Sequence, residues 1–260
     1  MNLQHLNISP EAVSPYVLLP GDPARVDFIG TFLDQFSILA NTREFRIGTG
    51  TYKNTPATVC STGIGCPSTA IAVEELISAG ARVLIRVGTC GGAWRREIPA
   101  GSLIIPTAAI RDEGTTREYI PLGFPAIADL DVVTALRNAA VSEQSPFVLG
   151  LNRTHDAFYG TQDSVTKWGT YLTDKRWKDT DSPILSSDME TAALFVIALL
   201  RGVKAGAILT VNADPEPLQD RVDGKTLPVV ADANPELTKA TLARTIRIAL
   251  NALSSFSPSV

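Results

Sequence analysis

The sequence predicts an α/β fold, and three observations carry that expectation. Strand-like apolar runs alternate with segments of helical period, residues 83–87 and 103–110 are continuously or nearly continuously apolar, as in strands covered on both faces, and glycine-rich turns follow several of the runs. The first strand is Tyr16-Val17-Leu18-Leu19-Pro20, ending at Gly21-Asp22-Pro23, after which residues 25–32 read as a helix with Pro23 near its first turn. Residues 49–53 and 57–61 flank Asn54-Thr55-Pro56 and read as a hairpin whose second strand runs into Thr62-Gly63-Ile64-Gly65. In residues 68–79, Ile71, Ala72, Leu76 and Ile77 fall near helical spacing, with Glu74 and Glu75 on another face and Gly80 as the stop. Residues 147–151 read as a further strand, residues 189–200 as a core helix that is apolar almost all round, and residues 204–211, after Gly202, as another central strand. Residues 212–234 turn to Asp, Pro, Gly and Lys with little periodicity. A loop this long in a compact domain is usually functional, so it reads as an active-site flap. Asn234-Pro235-Glu236 starts the closing helix, whose apolar stripe is Leu242, Ile246, Ala249, Leu250 and Leu253.

Composition excludes several classes. At 260 residues the chain has a length at which an α/β protein stays one domain, so residues 1–260 are expected to form a single unit. A formal charge of −4 suggests neither a nucleic-acid scaffold nor a polybasic membrane surface. No charged segment followed by an apolar run opens the sequence and no apolar segment approaches membrane-spanning length, so a cytoplasmic protein without membrane partners is expected. Cys60, Cys66 and Cys90 are odd in number and form no C-x-x-C pair, which argues against a disulfide framework or a zinc site. With only His5 and His155 and no G-x-S-x-G elbow, a histidine metal centre and a Ser/His/Asp triad are both disfavoured.

The chemistry concentrates in Ile85-Arg86-Val87-Gly88-Thr89-Cys90-Gly91-Gly92. An arginine at a strand end can grip an anion with paired donors while neighbouring glycines let backbone N–H groups approach it. The alternative is a tight strand-to-loop turn with a solvated arginine. Arg25, after Pro20-Gly21-Asp22-Pro23, and Arg43, in Thr42-Arg43-Glu44-Phe45, follow similar logic. Together with Gly21 and Arg86 they would suit a dianionic oxyanion such as phosphate.

These residues lie in ordered motifs. Pro20-Gly21-Asp22-Pro23-Ala24-Arg25-Val26, Cys60-Ser61-Thr62-Gly63-Ile64-Gly65-Cys66-Pro67-Ser68, Arg86-Val87-Gly88-Thr89 and Asp188-Met189-Glu190 resemble the motifs of the nucleoside phosphorylase-I family, from about His5 to the final helix. Residues 107–129, including Arg111-Asp112-Glu113-Gly114-Thr115 and Pro121-Leu122-Gly123-Phe124-Pro125-Ala126, are most similar to uridine phosphorylases. The resemblance implies a single-domain three-layer α/β/α fold with a central mixed, partly barrel-like β-sheet. It implies a pentosyltransferase that cleaves the N-glycosidic bond of a nucleoside reversibly, with phosphate as co-substrate and no cofactor. Phosphate would be bound by Gly21, Arg25, Arg86 and Thr89, with Arg43 supplied by a neighbouring subunit. Met189 and Glu190 would hold the ribose, and His5 would reach a neighbour's ribose 5′-hydroxyl, its alternative being a solvated N-terminal histidine. The implied assembly is a hexamer built from dimers, and Glu44, Ile64 and Ser68 match positions that hold a monovalent cation, K+, at a dimer interface.

For the base the resemblance points two ways. Phe158-Tyr159-Gly160-Thr161-Gln162 aligns with a segment in which a phenylalanine stacks on uracil and a glutamine, here Gln162, reads its amide edge, and Asn212 lies in the same pocket. Two arginines of the uridine phosphorylase pattern are replaced by Ser164 and Ala213, and Asp214 lies one or two positions from the slot where purine-specific relatives carry a catalytic aspartate. The expectation is a uridine phosphorylase with Arg86, Glu190 and Gln162 as its catalytic residues. The alternatives are a purine nucleoside phosphorylase with Asp214 as its acid, a hydrolytic nucleosidase, or a non-catalytic nucleoside-binding protein.

Overall fold

The computed structural model describes residues 1–91, 98–158, 184–212 and 235–256. Its first strand, β1 (Tyr16–Leu19), leads into helix α1 (Pro23–Gly30), where Asp22 caps the N-terminus by accepting from the Ala24 N–H and Pro23 sits at the start, where its missing N–H costs nothing. Strands β2 (Asp34–Thr42), β3 (Phe45–Tyr52) and β4 (Thr55–Cys60) form an antiparallel meander, followed by helix α2 (Cys66–Ser78) and strand β5 (Val83–Cys90). Strand β6 (Leu103–Asp112), the short helix α3 (Thr115–Tyr119), strand β7 (Ala126–Ile127), helix α4 (Leu130–Ser142) and strand β8 (Val148–His155) come next. Strand β9 (Ile184–Asp188), helix α5 (Thr191–Arg201), strand β10 (Lys204–Val211) and helix α6 (Pro235–Ser254) complete the described elements.

The strands form one 10-stranded sheet in the order β2-β3-β4-β1-β5-β10-β6-β8-β9, with β7 paired to β6. It is mixed: β1 lies parallel to β4 and β5, β10 is parallel to β5, and β10 and β6 are antiparallel. The far end curls back, because Gly91 at the end of β5 donates its N–H to Ser187 O on β9 (2.8 Å) in an antiparallel bridge. This is the partly barrel-like closure expected. One apolar cluster gathers α2 and α5 around one face of the sheet, with Leu76, Leu194, Phe195 and Ile197 fully buried, and a second gathers α1, α4 and α6 on the other, with Ile29, Leu136, Ile246 and Ala249 fully buried. The layers are therefore helix, sheet, helix.

Several element boundaries differ from those the sequence predicts, for identifiable reasons. The hairpin turns at Lys53-Asn54, both at positive φ (49° and 64°), with Tyr52 opposite Thr55, so Thr55 and Pro56 belong to β4. Two consecutive left-handed residues match the twist of the flanking strands better than the longer Asn54-Thr55-Pro56 loop would. The core helix begins at Thr191, two residues later than residues 189–200 suggested, because Asp188 accepts from the Thr191 N–H and side chain and ends the strand there. Met189 and Glu190 thus stand ahead of the helix. The flap at residues 212–234 lies outside the described residues apart from Asn212.

Candidate active site

The site is assembled where β5 meets β9. Since β9 approaches β5 antiparallel, the chain beyond Ser187 runs back alongside the end of β5 towards Arg86. Arg86 is buried, which excludes the solvated-arginine alternative, and its guanidinium is held along one edge by two carboxylates. Nε donates to Asp188 Oδ2 (2.9 Å) and Nη2 to Glu190 Oε2 (2.5 Å). Nη1 is buried with no hydrogen-bond partner among the described residues, and it lies 4.0 Å from where a Cβ on Gly21 would stand, so this end of the fork faces the Gly21 loop. Gly88 makes room for it: a Cβ there would sit 2.8 Å from the Arg86 guanidinium, which the two carboxylates prevent from moving aside. Burial pulls the Arg86 pKa down, and the charges of Glu190 and Asp188 more than offset it, leaving the guanidinium firmly protonated.

Glu190 is placed by the glycine motif before α2. Gly65, at φ +96°, donates its N–H to Glu190 Oε1 (2.7 Å), and Cys66 Sγ–H donates to Met189 O (3.2 Å). Burial pushes the Glu190 carboxyl above the usual carboxylate range; Arg86 opposes that shift and the nearby charge of Asp188 adds to it. Asp188 itself accepts five hydrogen bonds among the described residues, from Arg86 Nε, Thr191 N, Thr191 Oγ1, Asn152 Nδ2 (2.7 Å) and Thr154 Oγ1 (2.8 Å). Ser186 Oγ fixes Asn152 in turn by donating to its Oδ1 (2.8 Å). The sequence motif contains Asp188 but assigns no role to it or to this buried polar network. Its one signal was a run of polar residues, Asn152 to His155, at the end of an apolar strand.

The fold draws Gly21, Arg86, Met189 and Glu190 together, and Thr89 and Asn212 lie at the adjoining ends of β5 and β10, where the Asn212 N–H donates to Cys90 O (3.2 Å). Arg25 is half-buried in the first turn of α1 and Phe158 is exposed beyond β8. Arg43 stands exposed at the tip of the β2–β3 hairpin with φ +56°, a position from which it can project away from its own chain. His5 is neither free nor fully solvated, because its Nδ1 is 2.6 Å from Glu75 Oε1 on α2. Glu44, Ile64 and Ser68 converge: a Cβ on Gly63 would meet the Glu44 side chain and lie 3.3 Å from Ser68 Oγ, which donates to Ile64 O (3.2 Å). Gln162, Ser164, Ala213 and Asp214 lie outside the described residues. All three cysteines are free and buried, their thiols pushed upward first by desolvation, so none is poised as a nucleophile. Among the described residues no helix is long and apolar enough to cross a membrane.

A buried arginine clasped by two carboxylates and opening onto a glycine loop at strand ends is the class of α/β site whose geometry suits an oxyanion. Comparison with known sequences gives that class its family: the profile of the phosphorylase superfamily matches residues 15–243, and the chain belongs to that superfamily, within its nucleoside phosphorylase branch. It is 44% identical over 216 residues to a uridine phosphorylase of Treponema pallidum, covering 80% of each chain. It is also 37% identical over 252 residues to a guanosine phosphorylase of Halorubrum lacusprofundi, covering 96% of this chain and 98% of the relative. The crystal structure of purine nucleoside phosphorylase from Toxoplasma gondii in complex with immucillin-H superposes with a TM-score of 0.84 at 30% identity, covering 98% of this chain and 96% of that one.

Proposed function

We propose that the protein is a single-domain nucleoside phosphorylase, residues 1–260, that uses phosphate to cleave the N-glycosidic bond of uridine, releasing uracil and ribose 1-phosphate. The observation that carries the anion site is Arg86, whose Nη1 is buried without a partner among the described residues and faces the Gly21 loop. Gly21, Arg25, Thr89 and a neighbour's Arg43 complete the phosphate site in this reading. A phosphate oxygen attacks C1′, forming the C1′–O bond as the C1′–N bond breaks, and the electron pair of the broken bond leaves with the base, which then takes up a proton. Glu190 and Met189 orient the sugar and a neighbour's His5 meets its 5′-hydroxyl, so rate comes from positioning and preorganised charge. Gln162 hydrogen-bonds the base, Phe158 stacks on it with Asn212 beside it, and the flap excludes water. No cofactor is needed. The oxygen donors of Glu44, Ile64 and Ser68 suit a hard monovalent cation such as K+ as an interface ion.

A purine reading stands beside this one, favoured by the near full-length match to the guanosine phosphorylase and by Ser164 and Ala213, which leave room for a larger ring. In it, Asp214 serves the purine ring. A panel of uridine, thymidine, inosine and adenosine, assayed with and without phosphate, separates these readings. Uridine is expected to be cleaved only with phosphate; efficient cleavage of inosine or adenosine with uridine inert decides for the purine enzyme, equal turnover without phosphate for a hydrolase, and no turnover for a binding protein.

Arg43 and His5 act in this reading only across a subunit boundary, so assembly is part of the function. Dimers that complete each other's sites, three to a hexameric ring, are expected to elute together with the activity, and a fully active monomer by light scattering would defeat the shared site. A role in cytoplasmic nucleoside catabolism and salvage follows from the same reading.

A further inference from the structure

We infer that Asp188 is a positioning residue for the phosphate-binding arginine, a role that rests on the phosphorylase reading. A guanidinium offers two forks, one along Nε and Nη2 and one across Nη1 and Nη2. In this protein the first fork is filled by protein carboxylates, Asp188 on Nε (2.9 Å) and Glu190 on Nη2 (2.5 Å). On the second, Nη1 has no hydrogen-bond partner among the described residues, and it is this end that faces the Gly21 loop. Of the two carboxylates, Glu190 has other work at the sugar, whereas Asp188 is anchored from all sides.

Its anchors come from three elements. Asn152 and Thr154 on β8 fix Oδ1, Thr191 at the head of α5 fixes Oδ2 through both its N–H and its hydroxyl, and Ser186 on β9 orients Asn152. Thr154 Oγ1 also accepts the Ala192 N–H (3.0 Å), so the network joins β8, β9 and α5 into one frame around a side chain that is 1% exposed. Arginine alone could swing about its long stem when Glu190 turns to the ribose hydroxyls. With Nε held by Asp188 it keeps its plane, and the open fork stays aimed at the oxyanion. Asparagine at 188 has the same shape but would turn an NH2 group towards neighbours that donate, either Arg86 and Thr191 or Asn152 and Thr154, and the hold on Nε weakens.

The test is steady-state kinetics on Asp188→Asn, Thr191→Val and Arg86→Ala/Asp188→Asn beside the wild type, varying phosphate and nucleoside separately. Asp188→Asn is expected to raise the KM for phosphate about tenfold or more and lower kcat, with nucleoside KM changed less than threefold, the loss of one charge-assisted hydrogen bond acting through Arg86. Thr191→Val, which removes one donor to the same Oδ2, moves phosphate KM the same way by a smaller factor. In the double variant the second change adds nothing to Arg86→Ala, because both act on one contact. A merely structural role would lower kcat with both KM values unchanged, or add to Arg86→Ala, and either result overturns the inference. If Asp188→Asn does not fold, an unchanged phosphate KM in Thr191→Val overturns it. Wild-type turnover that ignores phosphate removes the phosphorylase reading itself and this inference with it, a result distinct from phosphate-dependent wild type with indifferent variants.

Discussion

Arg86→Ala is expected to reduce kcat/KM by about 1000-fold or more, since it removes a preorganised charged donor from the proposed seat of the attacking oxyanion. Stability suffers as well. Asp188 and Glu190, 1% and 8% exposed at their side chains, lose their shared counter-charge, and breaking such a buried cluster costs about 3–5 kcal/mol. The two effects are separated by Arg86→Lys. Lysine returns the charge, so most of the lost stability comes back, but it presents a point charge where the site is shaped for a planar fork, and activity is expected to stay about 100-fold down. Thermal melts alongside kinetics with phosphate varied check both halves; a lysine variant with near wild-type phosphate KM would show that charge alone, and not the fork, serves the site.

The second large effect is expected from Glu190→Gln, with opposite consequences for turnover and for the fold. Replacing the carboxylate weakens the contacts proposed for the ribose hydroxyls and should lower kcat/KM by about 100-fold, in line with loss of charge-assisted hydrogen bonds. The fold responds to pH. Burial raises the Glu190 carboxyl above its ordinary 4.5, against the pull of Arg86, so the folded protein holds that proton more tightly than the unfolded chain does. A raised pKa contributes stability that is full below the unfolded value and is lost as pH rises through the folded value. Glutamine does not ionise and escapes that loss. The Tm of Glu190→Gln minus that of wild type should therefore become more positive as pH rises above the ordinary carboxylate value, and a difference that moves the other way would show that the Arg86 pair outweighs desolvation. A buried carboxylate kept against the interests of stability is what the role proposed for it at the ribose would impose.

Much of this was legible in the sequence because particular residues carry strong local physics. Strand β10 is bounded at residues 204–211 by its largely apolar run after Gly202, whose φ of +67° ends the preceding helix. Gly88, two residues after Arg86, and the glycines before α2 mark where a side chain must lie flat or the backbone must turn, and those are the places that build the candidate site. Strand β2 escaped notice because it contains no buried residue, only an alternation of exposed and half-exposed positions, so no apolar period announces it. Helix α4 was missed too, although Asp129 caps it in the ordinary way by accepting from the Asp131 and Val132 N–H groups. The second half of β8 was lost for another reason: Asn152, Arg153, Thr154 and His155 are polar yet buried, a combination that composition reads as loop and only tertiary partners can justify. The same blindness hid Asp188's surroundings, since a hydrogen-bond network spanning β8, β9 and α5 has no sequence period.

The bridge between Gly91 and Ser187 has a consequence for how the protein comes into being. Arg86 and its two acidic partners are separated by 102 and 104 positions along the chain, and the strands that bring them together sit at widely separated places in the sheet's linear order. No local segment of the chain can form these contacts beforehand. The entropy of closing so long a loop must be met by the intervening sheet before the arginine meets its carboxylates. The clasp on Arg86 is thus a property of the finished curl rather than of any substructure, and a molecule with β9 unseated from the end of β5 would leave the guanidinium without its two carboxylates.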